Sequence, residues 1–264
     1  MRANRLREIW KKGEAAVNGW LAIPSAFSAE VMAHQGFDSL VVDMQHGVVD
    51  YQVAVTMLQA ISTTGVVPLA RVPWNDPARI MKILDAGAYG IICPMINTRE
   101  QAEALVAACK YYPRGYRSWG PVRATIYAGS DYTAAKANDE LLVMPMIETA
   151  EAVKNIDDIL DVPGLDAVYV GPADLSLTLN CTPRLDQTEA PVVEAQQQIV
   201  TACKRHHVVA GIHCGTAAYA SKMIAAGYRF VTLASDSRFL AARAADEVGA
   251  VRKTGVGAGT LPGY

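Results

Sequence analysis

The chain has 264 residues, of which 51% are hydrophobic and 19% charged, and its formal net charge at pH 7 is −2. Such a length fits two small domains or one large α/β barrel with a sizeable core. The near-neutral charge, without a dense basic run, argues against a protein that binds nucleic acid or an anionic membrane surface. The basic amino terminus is not followed by an apolar core, and no apolar run approaches the ~20 residues of a membrane span, so neither a signal peptide nor a transmembrane helix is expected.

The cysteines favour a reducing compartment. There are five of them, an odd number, and no two have the Cys-x-x-Cys spacing of a zinc or redox motif. We therefore expect free thiols that behave as small hydrophobic residues, with no disulfide framework and no zinc site. The sequence predicts a soluble cytoplasmic protein.

Eight apolar runs predict buried strands, because parallel strands that are covered on both faces are apolar throughout. A helix is expected after each strand, for example at residues 51–62 and 99–111, where apolar side chains recur at helical spacing. Ser28 is expected to cap the helix after the first strand, and Asp76-Pro77 has the pattern of an N-cap followed by the first helical position. The predicted strands span residues 20–23, 39–43, 66–72, 89–94, 141–147, 167–171, 208–212 and 230–234.

Two segments lack this periodicity. Residues 112–130 are rich in Pro, Gly, Arg and aromatic residues and are too long for an ordinary connection, so we expect a functional loop there. Residues 180–191 are a second irregular insertion. A last amphipathic helix at about residues 237–251 precedes a Gly-rich tail, residues 254–264, which is expected to be mobile until it packs on something.

Strands that alternate with helices, without a linker or an internal repeat, predict a (β/α)₈ TIM barrel in a single domain that spans residues 1–264. A doubly wound open sheet is the alternative. It is disfavoured because no Gly-x-Gly-x-x-Gly motif opens the first helix.

Charged side chains stand where several predicted strands end. Asp43 and His46 follow the second strand, Arg71 lies near the end of the third, Glu148 follows the fifth and Asp174 the sixth. In a barrel these ends meet around one mouth. Each residue alone has a structural interpretation, since an aspartate can cap a turn or helix and an arginine can form an ion pair. Together, on one side of an apolar barrel, they favour a functional site.

Glu148 and Asp174 suit a hard divalent cation. Two carboxylates fill only part of an octahedral shell and leave positions for water and a chelating substrate, as Mg²⁺ and Mn²⁺ prefer. Zinc is disfavoured because the cysteines do not stand at strand ends. His213, after the seventh strand, is expected in the pocket wall, whereas His206 and His207 end a helix, where their charge suits its dipole.

The lysines discriminate between aldol mechanisms. Schiff-base aldolases with this fold place a lysine inside the barrel, on a strand. The lysines of this chain are all expected on helices or termini, so a Schiff base is disfavoured and metal-assisted enolisation is the natural substitute. No Gly-x-Ser-x-Gly motif suggests a hydrolase.

Seven short motifs are specific when taken together, although each alone is weak. They are Gly36-Phe-Asp38, Asp43-Met-Gln-His46, Arg71-Val-Pro-Trp-Asn-Asp-Pro77, Leu84-Asp-Ala-Gly87, Tyr112-Pro-Arg-Gly-Tyr-Arg117, Ile147-Glu148 and Gly171-Pro-Ala-Asp-Leu-Ser176. Through them the chain resembles the metal-dependent (class II) pyruvate aldolases of the 4-hydroxy-2-oxoheptanedioate and 2-dehydro-3-deoxyglucarate aldolase family. It resembles the citrate lyase beta subunit more distantly. The resemblance extends over almost the whole chain, residues 6–250.

The resemblance implies roles for the residues at the mouth. Glu148 and Asp174 would bind the cation, which would be Mg²⁺, Mn²⁺ or Co²⁺. Arg71 would contact the keto oxygen of pyruvate. His46 would transfer protons, with Asp43 nearby.

The resemblance also implies a contribution from a neighbouring subunit. Asp85 matches an acid that pairs with the histidine in family members. Because Asp85 ends a returning helix, we expect it at the far end of the barrel, from which it can reach a histidine only across a subunit contact. The family further implies hexamers in which the last helix is exchanged between subunits.

The implied reaction is the reversible cleavage of a 4-hydroxy-2-oxo acid to pyruvate, or a related 2-oxo acid such as hydroxypyruvate, and an aldehyde. The backbone from Gly171 through Pro172 and Ala173, which opens a helix, is expected to bind the substrate carboxylate. Trp119, Arg117 and Arg123, in the long irregular loop, are expected to shape the aldehyde pocket or bind a distal carboxylate. A purely structural role is equally open for each of the three.

Two departures from the family pattern lie beside the site. Gln45 stands where many relatives have Glu, and Met146 where many have Gln. Neither removes a metal ligand, so we expect activity to survive with an open substrate preference. The alternatives are a barrel lyase for acyl-CoA or phosphoenolpyruvate-type substrates, although no basic residues for a nucleotide tail are evident, and a non-catalytic barrel, which the joint presence of the acids, arginine and histidine disfavours.

Overall fold

The computed structural model describes residues 1–252, and the predicted tail at residues 254–264 lies outside the described residues. Eight parallel strands close into a barrel in sequence order. This arrangement confirms the (β/α)₈ fold and excludes the open sheet. The strands are β1 (Ala16–Leu21), β2 (Ser39–Asp43), β3 (Val67–Arg71), β4 (Gly90–Cys93), β5 (Leu142–Ile147), β6 (Ala167–Val170), β7 (Val209–Cys214) and β8 (Phe230–Leu233).

Helices alternate with the strands along the chain. Many of them begin with a side-chain cap: Asp50, Thr98 and Thr216 each accept a hydrogen bond from a backbone N–H of the first turn. Within residues 1–252, no helix combines the length and the apolar character needed to cross a membrane. The helices are α1 (Arg5–Lys11), α2 (Ala26–Ala33), α3 (Tyr51–Ile61), α4 (Pro77–Asp85), α5 (Arg99–Cys109), α6 (Val122–Ala128), α7 (Ala134–Glu140), α8 (Ala150–Lys154), α9 (Ile156–Leu160), α10 (Pro172–Thr178), α11 (Ala190–His206), α12 (Ala217–Ala226) and α13 (Asp236–Arg252).

The strand register places the ends of neighbouring strands side by side. Every residue of β2 through β6 is buried, because one face fills the barrel and the other packs beneath helices. Asp43 pairs with Arg71 across β2 and β3, and Ile147 pairs with Val170 across β5 and β6. The residues that follow β5 and β6 therefore leave the sheet next to each other.

The first strand begins earlier than the sequence indicated, at residue 16 rather than residue 20. Asn18, which was expected before the strand, lies inside the barrel. Its Nδ2 donates to Thr232 Oγ1 at 2.9 Å, and its Oδ1 accepts from Ser39 Oγ at 2.7 Å. An asparagine whose amide nitrogen and oxygen are both hydrogen-bonded is tolerated in a buried strand, so the polar Asn18 does not mark the start of the strand.

Two helix predictions are also corrected. Ser25, and not Ser28, caps α2, and the Ser28 hydroxyl instead donates to Asp236 at 3.0 Å. The long irregular loop contains α6, and α7 follows it without having been predicted. These helices are short, at seven residues each, so the sequence offers little periodicity from which to infer them.

The last helix, α13, buries little of its surface. Among the described residues of this helix, Asp236 in its first turn is the one that is buried. Leu240, Ala244 and Val248 share one face at helical spacing, and Leu240 is 65% exposed and Val248 47%. The apolar face of α13 is therefore not covered by the described part of the chain.

A run of hydrogen bonds crosses the barrel interior below the strand ends. Thr232 Oγ1 accepts from Asn18 Nδ2 and from the Tyr169 hydroxyl, the latter at 2.7 Å. The Tyr169 hydroxyl also lies 3.0 Å from His213 Nδ1. Because buried polar groups need partners, Thr232 stabilises two side chains at once.

Replacement of Thr232 by valine should destabilise the barrel. The substitution keeps the side-chain shape but removes an acceptor shared by two buried donors, so the free energy of unfolding should fall by about 2–4 kcal/mol. Urea denaturation measures the change. Thr56→Val makes the same chemical change at an exposed position of α3 and should stay within about 0.5 kcal/mol of the wild type. Equal losses in both variants would contradict the assignment.

Candidate active site

A cavity of about 620 Å³ opens at the carboxyl ends of the strands. Its wall contains all five side chains that were expected at the mouth, namely Asp43, His46, Arg71, Glu148 and Asp174. The backbone that opens α10, predicted to bind a carboxylate, lines it as well. Among the described residues no lysine lines this cavity.

Arg71 is held in the cavity wall by a bidentate ion pair. Its Nε donates to Asp43 Oδ1 at 2.8 Å and its Nη2 to Asp43 Oδ2 at 2.6 Å, and both residues are buried. The Trp20 indole N–H donates to the same carboxylate at 3.1 Å, and the Trp20 ring lies 4.7 Å from the guanidinium carbon. Burial alone would raise the pKa of Asp43, but the charge and hydrogen bonds of Arg71 outweigh it and hold that pKa below its ordinary value. The pair therefore stays ionised near neutral pH, with the guanidinium plane fixed.

Glu148 is a buried carboxylate whose loss of hydration is only partly offset by hydrogen bonding. Its Oε1 accepts a hydrogen bond of 2.8 Å from the backbone N–H of Met95. Burial, opposed by that hydrogen bond and assisted by the negative charge of Asp174, raises the pKa of Glu148 to about 7. An added positive charge is favourable at such a position, because two anions lie close together with little solvent.

Glu148 and Asp174 fit a hard divalent cation. The Asp174 carboxylate, in the first turn of α10, lines the cavity and accepts no hydrogen bond from the described residues. The Gly171 backbone approaches Glu148 so closely that a Cβ there would overlap its carboxylate oxygen. Residues 1–252 contain no cluster of three or more His, Cys, Asp or Glu side chains able to hold a metal ion. The protein would thus supply two ligands, and water or substrate would fill the other positions.

His46 occupies the same wall and is partly buried. Its backbone N–H donates to Asp43 Oδ1 at 3.3 Å. Burial lowers the pKa of His46, and the charge of Arg71 acts in the same direction against the carboxylates of Asp43 and Asp174. A neutral imidazole at this position can accept a proton near neutral pH.

Asp85 lies apart from the cavity, at the end of α4. Its Oδ1 accepts a hydrogen bond of 2.6 Å from Arg117 Nη2. Burial raises the pKa of Asp85, against the hydrogen bond and charge of Arg117. The residue lines a separate surface groove with Arg123. Within one chain, the structure does not bring Asp85 to His46.

Trp119 and Arg123, which were expected to shape the aldehyde pocket, do not line the cavity of their own chain. Arg123 donates to the Ala86 carbonyl and to Ser62 Oγ, at the carboxyl ends of α4 and α3. Trp119 packs against Tyr111, just after α5, with ring centroids 5.2 Å apart. Helices of a barrel run opposite to its strands, so these helix ends lie at the far end of the molecule. The long loop starts from that end.

Sequence reasoning missed several residues of the cavity wall. Trp20 was assigned to the first strand, but its contact with Asp43 was not foreseen. Ser235, Ser237 and Arg238 follow β8 and also line the cavity. A polar run directly after a buried strand was the available signal, and it resembles the signal that identified Asp174.

The chain folds as a parallel (β/α)₈ barrel. Two acidic residues, an arginine and a histidine line a cavity at the carboxyl ends of its strands, which is where barrel enzymes carry their active sites. The chain belongs to the HpcH/HpaI aldolase/citrate lyase family, whose family model matches residues 18–242.

Individual relatives agree with this membership. The chain is 45% identical over 244 residues to a hydroxypyruvate/pyruvate aldolase of Rhizorhabdus wittichii, covering 91% of this chain and 96% of that protein. It is 36% identical over 251 residues to a 4-hydroxy-2-oxo-heptane-1,7-dioate aldolase of Shigella flexneri, covering 94% and 92%. The crystal structure of an HpcH/HpaI aldolase from Desulfitobacterium hafniense superposes with a TM-score of 0.86 at 27% identity, covering 95% of this chain and 98% of that one.

Removal of the Glu148 charge should stabilise the metal-free protein at high pH. A carboxyl group with a raised folded-state pKa stabilises the fold below its ordinary value of 4.5, and this contribution is lost as the pH rises through about 7. In EDTA, the wild type should lose about 2–3 kcal/mol of unfolding free energy relative to Glu148→Gln between about pH 5 and about pH 8. Urea denaturation at both pH values measures the difference.

The same variant tests the cation site without an activity assay. Near pH 8, excess Mn²⁺ should raise the unfolding temperature of the wild type but not that of Glu148→Gln, because a ligand stabilises only the state that binds it. Glu151→Gln, at an exposed position of α8, should respond like the wild type. Equal stabilisation of all three proteins would contradict the role of Glu148 as a ligand.

Proposed function

We propose that the chain catalyses the reversible cleavage of 4-hydroxy-2-oxo acids to pyruvate, or a related 2-oxo acid such as hydroxypyruvate, and an aldehyde. The chain is an aldolase of the carbon–carbon lyase class, by its family and by the activities for which its relatives are named. The observation that supports the mechanism best is the convergence of Arg71, Glu148 and Asp174 on one cavity.

The residues of the cavity wall bind the 2-oxo acid half of the substrate. Arg71 donates to the keto oxygen, and Asp43 keeps its guanidinium in place. Glu148 and Asp174 would hold a divalent cation, which would supply Lewis-acid stabilisation of the negative charge that develops on the 2-oxo acid. The backbone N–H groups at the start of α10 bind the carboxylate.

His46 moves the proton. In cleavage, the neutral imidazole accepts the proton of the C4 hydroxyl group. The C3–C4 bond then breaks, its electron pair forms the enolate of the 2-oxo acid, and C4 leaves as the aldehyde. His46 then returns the proton that it accepted to C3 of the enolate, which completes the 2-oxo acid product and regenerates the neutral imidazole. The buried guanidinium of Arg71 lowers the energy of the enolate, because a preorganised donor in a cavity of low polarity stabilises developing charge strongly.

Pyruvate release from 4-hydroxy-2-oxo acids tests the proposal. The wild type should require Mg²⁺, Mn²⁺ or Co²⁺ and lose activity in EDTA. Glu148→Ala should lower kcat/KM by about 10³-fold or more, because the enolate loses electrostatic stabilisation worth several kcal/mol. The matched variant Glu151→Ala, outside the cavity, should keep its activity. Metal-independent release of pyruvate, or full activity in Glu148→Ala, would contradict the mechanism.

We further propose that the chain assembles, as a hexamer, and that α13 packs on a second copy. The exposure of Leu240 and Val248 supports this. In such an assembly Asp85 of one copy would approach His46 of another. The identity of the cation and the cytoplasmic location stay predictions.

Light scattering after size exclusion tests the assembly. Leu240→Glu combined with Val248→Glu places charge on the apolar face of α13 and should reduce the oligomer to smaller species, because a desolvated, unpaired carboxylate is costly. Ala242→Glu, on the opposite face, should leave the oligomer intact. A wild-type protein that is monomeric at micromolar concentration would contradict this proposal.

A further inference from the structure

The cavity has a cationic wall to which the mechanism above assigns no role. Arg238, in the first turn of α13, lines the cavity beside Ser235 and Ser237. Its side chain is partly buried, and its guanidinium forms no ion pair with a carboxylate among residues 1–252. The charge of Arg71, by contrast, is matched by Asp43. Arg238 therefore lines the cavity as a cation, and no carboxylate among the described residues forms an ion pair with it.

The backbone that carries Arg238 is fixed in place. The buried carboxylate of Asp236 accepts hydrogen bonds from the backbone N–H groups of Ala22 and Ile23, at 2.8 and 3.2 Å, and from the Ser28 hydroxyl at 3.0 Å. These hydrogen bonds join the first turn of α13 to α2 and to the connection between β1 and α2. A guanidinium on an anchored backbone loses less freedom when it binds an anion, which favours binding.

His213 lies on the same wall and adds polarity without charge. Burial lowers its pKa to about 3, and the positive charges of Arg71 and Arg238 act in the same direction. The imidazole is therefore neutral, with Nδ1 beside the Tyr169 hydroxyl. The wall offers a single formal positive charge, which suits the single negative charge of a carboxylate.

The spacing around the barrel fits a ligand with an anionic group at each end. Arg238 follows β8 and Asp174 follows β6. In the closed barrel, β7 alone lies between these two strands. Two strand spacings amount to roughly 10 Å, the scale of a short dicarboxylic acid. Pro24 and Leu185 also line the cavity and offer apolar contacts for a methylene chain.

We propose that Arg238 binds the terminal carboxylate of the aldehyde half of the substrate, so that the enzyme prefers 4-hydroxy-2-oxo diacids to substrates with a neutral end. The inference rests on the proposed aldolase function and adds the residue that selects its substrate. A guanidinium and a carboxylate form two parallel charge-assisted hydrogen bonds, which are stronger than neutral ones. Within one chain, Trp119 and Arg123, first expected in this role, lie at the opposite end of the barrel from Arg238.

Two aldehydes of equal chain length test the proposal in the direction of aldol addition to pyruvate. The acceptors are 4-oxobutanoate, which carries a carboxylate, and butanal, which does not. Arg238→Met should lower kcat/KM for 4-oxobutanoate by about 100-fold and change that for butanal by less than about 3-fold, because a lost charge-assisted pair affects the charged acceptor alone. Arg238→Lys should recover part of the loss. Arg79→Met, an exposed arginine in the first turn of α4, should behave like the wild type.

Exchange of the pyruvate methyl protons with deuterated solvent, followed by NMR, separates this inference from the proposed function. Exchange reports enolisation without an aldehyde, and it should be unchanged in Arg238→Met, which also shows that the variant is folded. Wild-type protein without metal-dependent exchange would overturn the aldolase function and the inference with it. Normal exchange with equal losses for both aldehydes, or with no loss for either, would overturn the role of Arg238 alone.

Discussion

Asp43 and Arg71 lie opposite each other where β2 and β3 end, buried and joined by two hydrogen bonds. A buried guanidinium needs a counter-charge, and the strand register supplies it in an orientation that uses both carboxylate oxygens. The Trp20 indole donates a third hydrogen bond to this carboxylate from β1. The desolvation of the buried arginine is thereby offset within the fold.

The neutral pair has an electrostatic consequence on the other side of the cavity. Because Arg71 is already balanced by Asp43, it compensates Glu148 and Asp174 only weakly, and the pKa of Glu148 stays high, at about 7. A proton or a cation at Glu148 is therefore favourable, since no internal salt bridge among the described residues neutralises this carboxylate. The separation of the two charge systems leaves the acidic pair suited to the cation that we propose for it.

The barrel and its five mouth residues were predictable because their signals are local: an apolar run ends, and a charged residue follows. Positions that depend on long-range geometry were not. Trp119 and Arg123 were expected near the mouth of their own barrel, although their loop follows a predicted helix and so begins at the opposite end, by the same reasoning that places Asp85 there. Asn18 was left out of β1 because its polar side chain is satisfied only by distant strands. Arg238 escaped notice because its importance depends on its place in the cavity wall and on the lack of an ion pair with any described residue.

The close approach of the Gly171 backbone to Glu148 makes the space at the metal site depend on an atom that is missing. A Cβ at residue 171 would overlap Glu148 Oε2, so any side chain there would force the carboxylate or the backbone to move. The position of one acid of the pair thus depends on the absence of a side chain on the next strand's loop. A substitution on the opposite wall of the cavity can alter the space for a ligand without disturbing this contact, whereas a substitution at residue 171 cannot.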